Sequence, residues 1–366
     1  MHDEHSAYRC REHDPGQIVR PPREAGRHPV SLRDGILNIL VTGAAGYIGS
    51  NLIVSLCETH PGVRVYAVDN FFSTGRPLFE STMKNLDPKK CTFHEADFDD
   101  LEQMVPLLEQ TDVVVHLAEE KEKKVYSEGT AITKKQVSRW QKNVEGYRRL
   151  MEASVMCGVK RVVLGSWAGV YVAAARNHFS ESDPLVPINQ YYHQKISQEY
   201  YSKVFANEYL LDTVTLRISN VYGVGSEPRR WRVEGEPGVI AVMVENALRG
   251  GEIVVHNKGV QKRSFVYVGD VVDALMKTIL FRGNLSGGTY NICADDETRV
   301  IEIAQWIASA CGAKICYQDM KWQKNIVQHP ISNARAGKVL GFHPAGNMQQ
   351  RLNEMIDAVK VVGGKS

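Results

Sequence analysis

The chain has no long apolar run. None of its 366 residues falls in a stretch approaching the roughly 18 apolar residues that a membrane-spanning helix needs, so no membrane is expected as a partner. It also lacks an excess charge of one sign. Lys and Arg number 44 against 42 Asp and Glu, for a net charge of +2. That leaves no bulk field for nucleic acid or anionic lipid, and neither is expected. The polar N-terminus lacks the apolar core of a secretory signal. The seven cysteines, Cys10, Cys57, Cys91, Cys157, Cys293, Cys311 and Cys316, form no C-x-x-C pair. Reduced thiols in a cytoplasmic protein are the simple expectation. His2 and His5 lie close together on a polar arm, where a pair of histidines seldom holds a metal, and no metal is expected.

What is present is ordinary in bulk, 43% hydrophobic and 23% charged residues, and organised in detail. Residues 1–34, rich in Arg, His and Pro without periodicity, are expected to be a disordered tail. Strand and helix patterns then alternate. Strands are expected at 36–42, 63–68, 91–94, 112–117, 161–165 and 212–218, and helices near 47–58, 99–109, 138–157 and 191–206. Such alternation predicts an α/β fold, a Rossmann-type doubly wound parallel sheet, with ligands at the carboxyl ends of its strands.

The first apolar run ends in Thr42 and is followed by Gly43-Ala44-Ala45-Gly46-Tyr47-Ile48-Gly49. A G-x-x-G-x-x-G turn between strand and helix brings backbone N–H groups and a helix N-terminus to a pyrophosphate. The second run ends in Asp69-Asn70, with the acid 20 residues after Gly49, where a dinucleotide site uses a carboxylate on the adenosine ribose. A 2′-phosphate would meet that negative charge, so NAD is expected rather than NADP. After the third strand, Asp97-Phe98 offers either an acceptor for the adenine amino group or a cap for the next helix. After the fourth, Leu117-Ala118 leads into the run Glu119-Glu120-Lys121-Glu122-Lys123-Lys124. The run reads as solvated surface, or else Lys121 meets a phosphate or carboxylate there.

Beyond the fifth strand lie Tyr191 and Lys195, four residues apart and so on one helical face. An ammonium beside a phenol stabilises phenolate, giving a base able to take a proton from an alcohol while hydride leaves the same carbon. Tyr317 and Lys321 repeat the spacing in the C-terminal third and are read as chance.

Together these motifs resemble the extended short-chain dehydrogenase/reductases, and within them the NAD-dependent epimerase/dehydratase group that acts mostly on nucleotide sugars. The resemblance also rests on His116-Leu117-Ala118, Asn143-Val144-Glu145-Gly146, Arg217-Ile218-Ser219-Asn220-Val221-Tyr222-Gly223 and Arg263-Ser264-Phe265-Val266-Tyr267. It continues with Val268-Gly269-Asp270, Tyr290-Asn291-Ile292 and Leu340-Gly341-Phe342-His343-Pro344. It implies Tyr191 as acid/base and Lys195 as ligand of the nicotinamide ribose. It implies Asn220 and Arg263 on the substrate diphosphate, and a homodimer paired through the helices near 138–157 and 191–206. It further implies an NAD-binding domain over 35–216 and a smaller lobe, mainly for substrate, over 217–366. The chain would return to the first domain around 260–292, and segment 224–262, with Glu227-Pro228-Arg229-Arg230-Trp231-Arg232, would wrap the sugar nucleotide.

The chain departs from the family pattern where the chemistry happens. The place of the catalytic Ser/Thr holds Trp167, whose indole donates one hydrogen bond but cannot relay a proton. Ser166 is adjacent and would substitute if the loop shifted by one residue. Ala168 and Gly169 stand where the family's dehydratases carry an Asp-Glu pair. That absence speaks against dehydration and decarboxylation. It leaves epimerisation through a keto-sugar, with simple NAD(H)-dependent alcohol/ketone redox or a silent NAD-binding protein as alternatives.

Overall fold

A computed structural model describes residues 35–72, 75–120, 134–171, 178–225, 238–294, 297–319 and 330–363. The expected tail at 1–34, Lys121 and residues 227–232 lie outside these. The first six strands are β1 (Leu37–Thr42), β2 (Val63–Asp69), β3 (Cys91–Glu95), β4 (Val113–His116), β5 (Arg161–Trp167) and β6 (Asp212–Ile218). Then follow β7 (Asn220–Tyr222), β8 (Ile253–His256), β9 (Lys262–Tyr267), β10 (Gly288–Ile292), β11 (Glu297–Arg299) and β12 (Ile315–Gln318). Seven form one parallel sheet in the order β10-β6-β5-β4-β1-β2-β3. The chain reverses its direction of winding between β1 and β4, so the crevice for a ligand opens at their carboxyl ends.

The strands are apolar throughout rather than alternating because both sheet faces are covered. All six residues of β1 are buried. One face carries the helices Tyr47–Thr59 and Val268–Ile279, packed with Leu52, Ile53, Leu56, Val271 and Leu275 in the core. The other carries Leu101–Leu108, Tyr147–Met156 and Gln190–Glu208, with Met104, Tyr147, Met151 and Phe205 inward. A second core joins the helices Val239–Leu248, Val300–Cys311 and Met348–Gly363 to β8. β10, paired to β6 in the register Asn291↔Arg217, is where the late chain re-enters the large sheet. The doubly wound fold is the one the sequence predicts.

Arg161 shows how the far end of this sheet is tied. It is fully buried, and its guanidinium donates to Asp212 Oδ2 (2.7 and 2.9 Å) and to the carbonyls of Thr278, Phe281 and Gly283 (2.8, 2.9 and 2.7 Å). One cation thus closes β5 on β6 and satisfies carbonyls left open at the C-terminus of the helix Val268–Ile279.

The helix after β4 is not uniform. Lys134–Trp140 passes through a π-helical stretch, Gln141–Gly146, into Tyr147–Met156. The wider turns place the buried Asn143 side chain so that it receives the Glu120 N–H (3.0 Å) and donates to the Glu120 carbonyl (2.9 Å) and to Gln194 Oε1 (2.9 Å). Gln198 returns a bond to the Asn143 carbonyl at 2.7 Å. The segment following β4 is thereby fixed to the helix that carries Tyr191 and Lys195, at a position where such bulges often mark a site.

Candidate active site

The glycine turn is built by close approach. Gly43 has φ +73°, and a Cβ on it would lie 2.7 Å from the Ala118 nitrogen. A Cβ on Gly49 would lie 2.2 Å from the Gly43 carbonyl oxygen, and one on Gly46 3.1 Å from the same atom. No side chain fits at Gly43 or Gly49 without moving the turn. Asp69, at the end of β2, accepts from the Ala45 N–H (2.9 Å) and the Phe71 N–H (2.8 Å). It ties the tip of the turn to the neighbouring strand. Tyr47 opens the following helix. Its hydroxyl donates to the Gly223 carbonyl (2.6 Å), fastening the turn to the segment after β7. Burial, with Tyr267 and Tyr222 nearby, pushes this phenol well above its ordinary value, so it remains a donor. Ile48 packs against the core beside it.

Beyond the ends of β2 and β3, Asp97 bonds Asn70 and pairs with Lys142 at 2.6 Å. Lys142 also lies 3.8 Å from Glu120 and 3.9 Å from Asp99. The capping alternative for Asp97 does not occur: Asp100 holds the N-cap position of Leu101–Leu108, and its N–H bonds the Asp97 carbonyl. Phe98 turns its ring into the core against His116, so only its backbone is left to face a ligand. Leu117 and Ala118 lie against Gly43, and the Leu117 N–H bonds the Thr42 carbonyl (3.1 Å).

The catalytic corner gathers residues from three strand ends and one helix. Lys195 is buried. Its ammonium donates to the Gly165 carbonyl (3.1 Å) and pairs with Glu119 Oε2 (3.2 Å). Below it, His116 shares a hydrogen bond with Thr42 Oγ1 (2.9 Å). Burial and the Lys195 charge pull this imidazole down to about 3, so it is neutral at physiological pH. Tyr191 lies one turn before Lys195, and its ring meets Trp167 with centroids 5.4 Å apart and planes at 52°. Trp167 also packs edge-on against Tyr192 at 4.8 Å.

β5 runs two residues further than its apolar pattern indicates, through Trp167. Alternation along the strand then sends Ser166 and Trp167 to opposite faces. Trp167 faces Tyr191, while the buried Ser166 hydroxyl donates to Glu199 Oε1 at 2.5 Å. The register that would let Ser166 stand in for the missing hydroxyl is not the one adopted. Ser166 joins an interior network instead. Glu199 receives Arg217 through two nitrogens (2.6 to 3.1 Å), Arg217 bonds the Tyr171 hydroxyl, and Tyr171 donates to Asn291 Oδ1 (2.7 Å). Burial raises the Tyr171 phenol to about 12.

On the substrate side, the Asn220 amide donates to the Ser264 carbonyl (2.9 Å), joining β7 to β9. Arg263, on β9, is largely withdrawn from water. Burial lowers its affinity for its proton, and no acidic side chain pairs with it among the described residues. Tyr317 lies exposed on β12, away from this cluster.

The residues present fit a dinucleotide. The turn excludes side chains where a pyrophosphate would lie, a helix N-terminus faces it, and Asp69 stands ready for ribose hydroxyls. Glu119, Asn143, Glu199 and Arg217 belong to the site's framework, yet sequence reasoning gave none of them a contact in it. Glu119 was hidden in a charge run, and the pairing of Glu199 with Arg217 spans two elements.

The chain belongs to the NAD dependent epimerase/dehydratase family, whose model matches residues 39–293. It is 32% identical over 329 residues to a UDP-glucose 4-epimerase of Mycolicibacterium smegmatis, covering 88% of this chain and 98% of that protein. It is 30% identical over 277 residues to the dTDP-D-glucose 4,6-dehydratase of Mus musculus, covering 73% and 71%. Among solved structures, UDP-glucose 4-epimerase from Thermotoga maritima with UDP-glucose superposes with a TM-score of 0.75 at 27% identity, covering 89% and 99%. A UDP-glucuronic acid 4-epimerase from Bacillus cereus, holding UDP-glucuronic acid and NAD, shares the fold with a TM-score of 0.77 at 22% identity.

Proposed function

We propose that this protein is an NAD-dependent nucleotide-sugar epimerase that works through a transient keto-sugar, with Tyr191 as acid/base. The observation that carries the reading is the catalytic corner itself. Lys195 is held by two partners one helical turn from Tyr191, and Ala168-Gly169 occupy the place of a dehydratase's acid pair. NAD, when bound, supplies the hydride acceptor. Tyr191 takes the proton of the sugar hydroxyl, keeps it while the carbon is a ketone, and returns it. The Lys195 charge favours the phenolate form that makes the first transfer possible. Trp167 packs against the Tyr191 ring and holds it in place. Arg263 and Asn220 hold the nucleotide diphosphate. Asp69, with the glycine turn, holds the cofactor's adenosine side, with Asn70, Asp97, Leu117 and Ala118 lining it. A homodimer is supported by Tyr200 and Val204, which are 61% and 41% exposed on the helix Gln190–Glu208. A cytoplasmic location is supported by six described cysteines that form no disulfide.

The runner-up, a dehydrogenase or reductase, uses the same Tyr191–Lys195 pair but exchanges its cofactor with solvent. Mass spectrometry of small molecules released on denaturing freshly purified protein separates the two. Near-stoichiometric NAD is the expected result. Protein that emerges empty and binds NADH only loosely would overturn the recycling mechanism in favour of the reductase.

A further inference from the structure

We propose that Glu119 is a positioning residue that fixes the Lys195 ammonium and limits how much of its charge reaches Tyr191. This rests on the reading of Tyr191 and Lys195 as the acid/base pair. An ammonium has three N–H donors. In Lys195 one goes to the Gly165 carbonyl, and Glu119 Oε2 lies 3.2 Å from the ammonium as its ion-pair partner. Both side chains are about 5% exposed, so the pair sits in a weakly screening environment and a neighbouring charge is felt strongly. Glu119 itself is held by design of the fold. The next residue is gripped at both its N–H and its carbonyl by Asn143 from the π-helical turn, and Asn143 is bonded to Gln194, the neighbour of Lys195. The second carboxylate oxygen of Glu119 is buried and receives no hydrogen bond from the described residues. A buried acceptor left open beside Lys195 points to a role toward the site as well as in its framework.

The other groups facing this corner do not replace Glu119. His116, from β4, is neutral. Glu199, one turn further along the helix, is spent on Arg217 and Ser166. Arg263 reaches this corner through its electrostatic contact with Tyr192, and as a cation it acts in the same direction as Lys195. Glu119 is thus the anionic counterweight to Lys195 among the described residues. Its presence sets Tyr191 higher than a lone lysine would, nearer to the range in which the phenol both takes and returns a proton.

The test is a spectrophotometric titration of tyrosine ionisation, read as the difference between each protein and its Tyr191→Phe counterpart, with no substrate present. In the unaltered protein a phenol should ionise below the ordinary value of about 10, and the Tyr191→Phe change should remove it. In Glu119→Gln, which keeps an acceptor but loses the charge, that ionisation should move down by about one pH unit, and the acid limb of kcat should move with it. Glu119→Asp, which restores the charge, should move it back. An unchanged or upward-moving titration in Glu119→Gln would overturn the proposal for Glu119. If no low-lying ionisation is lost in Tyr191→Phe, the acid/base reading itself fails, which is a separate outcome. Thermal unfolding of each variant identifies any that fails to fold. If Glu119→Gln fails to fold, Glu119→Ser takes its place: the same downward shift of the acid limb with unchanged KM is required, and an unshifted limb overturns the proposal.

Discussion

Replacing Tyr191 by Phe should lower kcat by about a thousandfold while leaving the fold and cofactor binding in place. The phenyl ring keeps the packing against Trp167 and Tyr192, so thermal unfolding should be nearly unchanged. What is lost, on the proposed mechanism, is the hydroxyl that exchanges a proton with the sugar. In this chain the loss has no second relay to soften it. Trp167 offers an N–H that cannot accept, and the Ser166 hydroxyl is bound to Glu199 on the other side of the strand. Steady-state kinetics alongside NAD titration checks the result. A Tyr191→Phe enzyme retaining a tenth of its activity would mean that another group moves the proton.

Removing one partner of the Arg217–Glu199 pair should have the largest effect on stability. Both side chains are 1% exposed. Arg217→Ala strands a carboxylate in the interior and withdraws a donor from Tyr171. Breaking such a pair costs about 3–5 kcal/mol, out of a typical total of about 5–15 kcal/mol. Urea unfolding should show a lowered midpoint with an unchanged slope. The double change Arg217→Met with Glu199→Leu should cost less than Arg217→Ala alone, because no charge is left uncompensated. It should not be neutral, since Ser166 and Tyr171 each lose a partner. Additive losses in the double variant would contradict this account of the pair.

The part of this molecule legible in the sequence is the part that is local. The glycine turn, the strands ending in Thr42 and Asp69, and the four-residue spacing of Tyr191 and Lys195 depend on neighbours in the chain. The sequence states them directly, and the parallel sheet follows from their order. Other features depend on pairs of elements. Whether Ser166 or Trp167 faces Tyr191 turns on β5 continuing to Trp167, which its pairing with β6 through Trp167↔Ile218 determines. Glu119 lies in a run that looks like solvated surface. Only the grip of Asn143 on Glu120 brings it inside, and that grip requires a π-helical turn that no apolar periodicity announces. Asp97 could be read as a cap because its spacing allowed it. Lys142, from a helix forty-five residues on, claims it instead.

The most direct test of the central claim follows a label. A nucleotide sugar that the protein epimerises, carrying deuterium at the epimerised carbon, should be converted without added NAD, in ordinary water, and the product should retain its deuterium. That result is the one hydride transfer to and from a retained cofactor gives, and it excludes proton exchange with water at that carbon. Loss of the label to solvent, or a demand for stoichiometric added NAD with no epimer formed, would contradict it.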